Sequence, residues 1–119
     1  MDDFKTSLIV QGLLQPESLL NDRPWEVLAD GVFSSTLYSS GDSSCRAALL
    51  HYLPGSAVGS HLHAGYEHIL ILQGSQHDGD QVYEAGTLVI HKPGTRHTIY
   101  SPNGCIALGI WEKPVAFTD

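Results

Sequence analysis

Positive charge is scarce in this chain. Its 6 Lys and Arg stand against 13 Asp and Glu among 119 residues, which gives a formal net charge of −7 at pH 7. The basic residues are scattered, at positions 5, 23, 46, 92, 96 and 113. Binding to nucleic-acid phosphates depends on clustered Lys and Arg. We therefore expect no direct binding of DNA or RNA.

Long apolar runs and closely spaced cysteines are also absent. No run approaches the roughly 18–20 apolar residues that a transmembrane helix needs, so we expect no membrane span. The acidic start MDDFKTSLIV lacks a basic segment and a small-residue cleavage site, so we expect no signal peptide. Cys45 and Cys105 have no C-x-x-C spacing. They favour two reduced thiols in a cytoplasmic protein over one disulfide.

Short β-prone runs separated by turn signals make up most of the sequence. Runs rich in Val, Ile, Leu, Tyr and Thr alternate with pairs such as Pro54-Gly55 and Pro93-Gly94. This spacing is typical of an all-β sandwich or barrel. We expect a single domain over residues 1–119, with N-terminal strands at about 1–44 that pack on or extend the barrel. The pattern predicts a helical turn at 17–21 and strands at 7–14, 25–28, 32–39, 45–53, 58–63, 67–73, 81–84, 87–91, 97–100 and 105–112.

Several predicted strands are apolar at nearly every position. The runs HILIL, TLVI and CIALGIW lack the in–out alternation of a half-solvated sheet, so both faces of these strands should be covered. A chain of this size has few helices to spare for the outside of a barrel. We therefore predict a homodimer through a sheet face. The alternative is that the N-terminal segment folds back over that face.

The stretch GSAVGSHLHAGYEHILILQG, at residues 55–74, concentrates histidines beside a glutamate. Alternate side chains of a strand point to one face, so His61 and His63 can converge on one ion. A tight turn at 64–66 would bring Glu67 back beside them, and His97, at the start of a later strand, is the fourth candidate ligand. Three imidazoles and a carboxylate form a ligand set that suits Zn, Fe, Mn, Ni, Co or Cu.

These residues have the spacing of a known motif. The pattern G-x5-H-x-H-x3-E-x6-G resembles the first cupin motif. Every position of it is filled, by Gly55, His61, His63, Glu67 and Gly74.

The second cupin motif, G-x5-P-x-G-x2-H-x3-N, is matched more loosely. Gly86, Gly94 and His97 stand at the expected offsets. Pro93 comes one residue late, and Ser101 replaces the asparagine. Neither change removes a candidate ligand. The two resemblances together imply a cupin-type jelly roll, a double-stranded β-helix barrel with one divalent metal inside.

The stretch from HLHAGYEH to SPNGC is more narrowly similar to ChrR-like cupins, in which H-x-H-x-G-x-E, G-x-x-x-D, P-G-T/S-x-H and G-C recur. This resemblance implies zinc, although Fe, Mn and Ni also suit the ligand set. It implies that the ligands are the matching residues His61, His63, Glu67 and His97. Some proteins of this group add an N-terminal helical module that binds a sigma factor through a His/Cys zinc site. The first forty residues contain no His or Cys, so we do not carry anti-sigma activity over.

Other polar and aromatic residues have simpler interpretations. His68 should point away from Glu67, to a packed surface or a dimer interface. For His91 we favour a core histidine bonded to backbone over a partner of the metal ligands. His51 should be structural, and His77 should be a polar residue of a hairpin turn. Packing or surface roles are also favoured over lining of the pocket mouth for Tyr66, Arg96, Tyr100 and Trp111.

Three functions are compatible with such a metal site. We favour a ligand- or redox-responsive binding or sensor domain, with a small molecule bound at the metal. The alternative is a metal-dependent enzyme, a dioxygenase of a β-diketone-like substrate or an isomerase. No further acid–base pair stands at a spacing that must converge on the ion, which disfavours the enzyme. A purely structural ion is least favoured because structural sites rarely keep an open coordination position.

Overall fold

The computed structural model describes residues 7–42 and 44–117. Among these residues, no helix is long and apolar enough to cross a membrane. A 3₁₀ helix spans Pro16–Leu20. Strands β1 to β10 follow in order, at Glu26–Ala29, Val32–Ser39, Arg46–Tyr52, Ser56–His63, Glu67–Asp78, Gln81–Glu84, Leu88–His91, Arg96–Ser101, Cys105–Trp111 and Val115–Phe117.

Strand β5 joins two antiparallel sheets. Its first part, from Glu67 to Gly74, lies between β7 and β9, whereas its end, from Ser75 to Asp78, pairs with β6 and contacts β8. The first sheet therefore has the order β1-β2-β3-β9-β5-β7, and the second has the order β6-β5-β8-β4-β10. Two sheets that share one long strand close into a jelly-roll barrel. The all-β prediction is confirmed.

Apolar side chains from both sheets fill one end of the barrel. Leu50 and Ile69 of the first sheet pack in the same cluster as Val58 and Ile99 of the second. At this end the row Tyr52–Cys105–Gly74 crosses three strands. The opposite end, where β5 begins, holds the buried polar residues of the candidate site. The complete buried cluster is Val32, Leu50, Tyr52, Val58, Ile69, Ile71, Ile99, Cys105 and Ala107.

The N-terminal segment covers part of the outer face of the first sheet. Leu19, which is 1% exposed, packs with Leu49 of β3 and Ile106 of β9, and Val10 and Leu13 pack against the same cluster. The N-terminal segment therefore folds back over part of this face, which was the alternative to a homodimer. The homodimer stays a prediction for the part of the face that this segment leaves open.

The strand prediction differs from the structure at both ends of the chain. Residues 7–14 contain no strand. Gly12 has a φ of +86°, and Val10 and Leu13 pack on the sheet face instead of extending an edge. Strand β10 was not predicted; it pairs with β4 directly beside His61 and His63. The helical turn predicted near 17–21 is confirmed, as the 3₁₀ helix.

Gly74 offers a test of this packing. It has a φ of +79°, and a Cβ there would overlap the carbonyl oxygen of Gly104. Gly55 has a similar φ of +84° but open space around it. We expect Gly55→Ala to lower the free energy of unfolding by about 1 kcal/mol and Gly74→Ala by about 3 kcal/mol, because only the second adds a backbone clash to the strain. Urea unfolding of both variants measures this, and equal losses would contradict the close approach.

Candidate metal centre

A bulge in β4 turns two histidines into the barrel. The pairing of β4 with β8 shifts between Val58 and His61. Before the shift the even-numbered residues Ser56 and Val58 are buried, and after it the odd-numbered residues His61 and His63 are buried. A bulge inserts one residue and reverses which face the following side chains occupy. His61 also lies directly opposite His97 of β8.

The turn after β4 brings Glu67 to the same place. Its backbone is held because the Tyr66 N–H donates to Glu112 Oε1 at 3.0 Å and the Glu112 N–H donates to the Tyr66 carbonyl oxygen at 3.0 Å. Glu67 then opens β5 with a buried side chain. His63 Nε2 lies 3.1 Å from Glu67 Oε1.

The four predicted ligands meet. One candidate ligand atom from each of them lies within 4.8 Å of the others. The Nε2 atoms of His61 and His97 are 2.8 Å apart. Two atoms bonded to one ion at 2.0–2.2 Å, with an angle between 90° and the tetrahedral value, lie about 2.8–3.6 Å apart. The spacing suits ligands of a shared ion.

Hydrogen bonds on the outer side of two imidazoles fix which nitrogen faces the centre. His61 Nδ1 lies 2.9 Å from the carbonyl oxygen of Gly59, which can only accept, so this nitrogen carries the hydrogen. His63 Nδ1 lies 2.8 Å from Thr95 Oγ1. The Thr95 hydroxyl donates its own hydrogen to the Lys92 carbonyl oxygen at 2.7 Å. His63 Nδ1 must therefore be a donor as well.

His97 repeats this arrangement with a carboxylate. Its Nδ1 lies 2.9 Å from Asp78 Oδ2, which accepts the hydrogen. All three Nε2 atoms therefore present lone pairs toward one another and toward Glu67. His63 Nε2 is buried and has no well-directed hydrogen bond within the described residues. Converging lone pairs repel one another unless a cation lies among them, so these residues fit a divalent metal.

Trp111 holds the second oxygen of Glu67. The indole Nε1–H donates to Glu67 Oε2, which leaves Oε1 facing His63. The indole ring reaches this position across Gly109, where a Cβ would collide with it. Burial opposes ionisation of Glu67 and the Trp111 hydrogen bond favours it; on balance the pKa of Glu67 is lowered.

Asp78 was not among the predicted site residues, because the strand that begins at Glu67 was predicted to end at residue 73. The structure extends β5 to Asp78. A pairing shift between Ile71 and Gln73 changes which side chains of β5 face inward. Gln76 is therefore buried, and Asp78 reaches His97. The only sequence signal was the G-x-x-x-D spacing from Gly74.

His91 lies inside the same cavity, so its interpretation as a core histidine bonded to backbone is wrong. Its ring stacks on His63 at 4.9 Å between centroids and meets the edge of His97 at 4.2 Å. Its Nε2 is 3.7 Å from Glu67 Oε1. With Asp78 and His97 it forms a second group of potential ligands. Inward alternation on β7 could have indicated this position.

The other histidines lie away from the four candidate ligands. His51 is on the outer face, with its ring 6.1 Å from that of Trp25, and its structural role stays a prediction. His68 is half-buried and pairs with Ile90 and Ile110. His77 lies within β5, not in the turn.

Of the four residues considered for the pocket mouth, one lines the cavity and three are exposed. Trp111 lines the cavity, against the prediction of a packing or surface role. Tyr66, Tyr100 and Arg96 are exposed, as predicted. Both cysteines are free thiols. Burial raises the pKa of the Cys105 thiol to about 11, so it stays protonated.

A cavity of about 260 Å³ opens beside the four candidate ligands. Aliphatic side chains, Leu50, Val58, Ile69 and Ile99, form much of its wall. His61, Glu67, His91 and His97 line one side of it. Pockets for drug-sized ligands are commonly about 300–1,000 Å³, so this space suits a small metabolite.

Comparison with known proteins decides the family. The family model described as the ChrR Cupin-like domain matches residues 18–113. The chain belongs to this ChrR cupin-like family. The anti-sigma-E factor ChrR of Cereibacter sphaeroides is 34% identical over 102 residues, which are 84% of this chain and 47% of ChrR. The cupin chain thus spans about half the length of this curated relative.

Solved structures agree with the cupin fold. ChrR in complex with SigE of Rhodobacter sphaeroides has a TM-score of 0.68 and 33% identity, over 77% of this chain and 50% of that chain. An RmlC-like cupin of Ralstonia eutropha has a TM-score of 0.75 and 26% identity, over 83% and 69%. An acetylacetone dioxygenase of Acinetobacter johnsonii has a TM-score of 0.73 at 20% identity, over 80% and 72%, and supports the fold alone.

The cavity histidines predict how the metal-free cupin responds to acid. Burial, and then the charge of His97, lower the pKa of His91 to about 4. Burial also lowers the pKa of His97. As pH falls from 6.5 toward 4, the unfolded chain therefore binds protons before the folded chain does, and the folded state loses stability. We expect His91 to account for a loss on the order of 2 kcal/mol.

Urea unfolding at pH 7 and pH 5 in the presence of a chelator measures this loss. His91→Phe should reduce the difference in the free energy of unfolding between the two pH values. An unaltered difference in the His91→Phe variant would show that His91 does not stay neutral in the fold.

Proposed function

We propose that this cupin binds one divalent transition metal through His61, His63, Glu67 and His97. The observation that supports the proposal most strongly is the inward orientation of three Nε2 lone pairs beside a buried carboxylate oxygen. Asp78 and Thr95 act as positioning residues, since each accepts the Nδ1 hydrogen of one ligand. Such outer partners fix the tautomer of a ligating imidazole and raise its basicity.

Zinc is the metal that we propose first. An N/O ligand set of this composition accepts Zn, Fe, Mn or Ni, and the similarity to ChrR-like cupins favours zinc. When bound, the metal supplies a Lewis-acidic position that faces the cavity. We also retain the prediction of a cytoplasmic protein, which two free thiols suit.

The biochemical role that we propose is a ligand- or redox-responsive binding domain. The relative ChrR is named an anti-sigma-E factor, and a structure of it is titled as a complex with SigE. The cupin matches half of that chain, so a sigma factor is not part of this proposal. A small molecule that enters the cavity would contact the metal ligands and Trp111 together.

A metal-dependent enzyme is the second candidate. His91 favours it, because this largely neutral imidazole lines the cavity beside Glu67 and could exchange a proton with a bound molecule. Oxygen consumption by the iron-loaded chain with small enolisable diketones distinguishes the candidates. Turnover would favour a dioxygenase, and saturable binding to the zinc form without turnover would favour the binding domain.

Metal content tests the ligand assignment directly. His61→Ala and His63→Ala should each lower the metal-to-protein ratio from about one to near zero after dialysis against micromolar zinc, because each removes one of four ligands. His68→Ala is the matched control, since this residue lies on the same strand as Glu67 but faces outward. Elemental analysis gives the ratio.

The same measurement can distinguish the proposed site from the second group of potential ligands, which consists of Asp78, His91 and His97. His91→Ala removes a member of that group and no proposed ligand. The variant should keep its metal. Loss of metal in His91→Ala together with retention in His61→Ala would move the site to the second group and refute the assignment.

We further propose a homodimer through the open part of the outer sheet face. Leu88 and Ile90 on β7 and Ile110 on β9 are exposed there by 55%, 51% and 39%. His68 lies between the last two in register. A contiguous apolar face beside an edge strand is a common site of association.

Sedimentation velocity at micromolar concentration tests the dimer. The parent chain should sediment as a dimer, and Ile90→Glu as a monomer, because a charge would be buried in the interface. Val82→Glu is the control, since Val82 is similarly exposed, at 50%, but lies on β6 in the other sheet. A monomeric parent chain would end this proposal.

A further inference from the structure

One row of side chains crosses the first sheet at the polar end of the barrel. Arg46 of β3 is the register partner of Trp111 on β9, Trp111 is the partner of Glu67 on β5, and Glu67 is the partner of His91 on β7. All four line the cavity. Adjacent strands are about 4.8 Å apart, so the Cα atoms of Arg46 and Glu67 are separated by about 10 Å.

Arg46 is a cation with no ionic partner in the described part of the chain. Its Nη2 donates to Ser34 Oγ and to Thr36 Oγ1, both at 3.1 Å. Its Cζ lies 5.3 Å from the centre of a Trp111 ring. These contacts orient the guanidinium but do not neutralise it, although the chain has 13 Asp and Glu. Among the described residues, no hydrogen bond engages Nη1 or Nε, and no carboxylate lies within ion-pair distance.

The surroundings of Arg46 select for an anion. Arg46 is half-buried, and it is the one Lys or Arg among the described residues that line the cavity. A guanidinium in partly desolvated surroundings binds a carboxylate through two parallel hydrogen bonds. The aliphatic wall formed by Leu50, Val58, Ile69 and Ile99 suits an apolar body between the two polar ends.

We propose that the cavity binds a small monocarboxylic acid that carries a second oxygen. The carboxylate pairs with Arg46 at the mouth, the apolar body lies against the aliphatic wall, and the second oxygen, a hydroxyl or a carbonyl, points to the metal ligands. Trp111 forms the wall between the two ends. The proposed carboxylate contact depends only on Arg46, whereas the proposed role of the second oxygen depends on the proposed metal site.

Matched pairs of acids and amides test the carboxylate contact. Isothermal titration calorimetry of the zinc-loaded full chain would use 4-hydroxybenzoate against 4-hydroxybenzamide, and 4-oxopentanoate against 4-oxopentanamide. Each pair has nearly the same shape and differs in the charge. We expect the acid of at least one pair to bind about tenfold more tightly than its amide, since an ionised partner strengthens the hydrogen bonds to Arg46.

Variants then assign the preference to Arg46. Arg46→Gln should abolish the difference between acid and amide, whereas Arg46→Lys, which keeps the charge, should retain part of it. Lys92→Gln removes an equal charge from an exposed side chain near the site and should bind like the parent chain. Thermal unfolding of each variant verifies that it is folded.

Three results would overturn the proposal. These are equal binding of acid and amide by the parent chain, an acid preference that persists in a folded Arg46→Gln variant, and no binding of any of the four compounds. Titration of the chelator-treated, metal-free chain with the same four compounds separates failure of the carboxylate contact from failure of the metal site. An acid preference that depends on Arg46 without metal supports the carboxylate contact even if the metal-to-protein ratio is near zero.

Discussion

The candidate centre depends on hydrogen bonds that point away from it. Gly59, Thr95 and Asp78 each take the Nδ1 hydrogen of one imidazole. Each ring is thereby fixed in the tautomer that turns an unprotonated nitrogen inward. Trp111 does the same for Glu67 by occupying one carboxylate oxygen. A binding site built in this way is held in place before an ion arrives, so little reorganisation opposes binding.

The barrel supplies those partners by departing from regular strands. A bulge in β4 brings the carbonyl oxygen of Gly59 to the ring of His61. The shift in β5 after Ile71 puts Asp78 on the inner face, beside His97. The apolar cluster fills one end of the barrel, and its side chains that face the candidate site form the aliphatic wall of the cavity. The same sheet row that contains Glu67 continues through Trp111 to Arg46, so the candidate metal centre and the proposed carboxylate contact lie along one wall.

Motif spacing predicted the residues that meet, but not the groups that orient them. His61 and His63 could be predicted from the alternation of side chains along a strand. His97 could be predicted from the turn that Pro93 and Gly94 indicate. Both features can be recognised within a few neighbouring residues. The inward position of Asp78 depends on a bulge in β5, and no residue type in the stretch ILQGSQ specifies that bulge. The position of His91 depended on which face of β7 turns inward. The sequence could offer the cover from the N-terminal segment only as an alternative to a dimer, because apolar runs look alike whether a second subunit or the chain itself buries them.

The most direct measurement of the central claim is X-ray absorption spectroscopy of the zinc-loaded cupin. The claim requires a first shell of nitrogen and oxygen at about 2.0–2.1 Å, with outer-shell scattering from three imidazoles. Replacing His63 with Ala should lower the occupied fraction without introducing sulfur. A first shell that contains sulfur, from Cys45 or Cys105, or scattering from fewer than two imidazoles would contradict the claim.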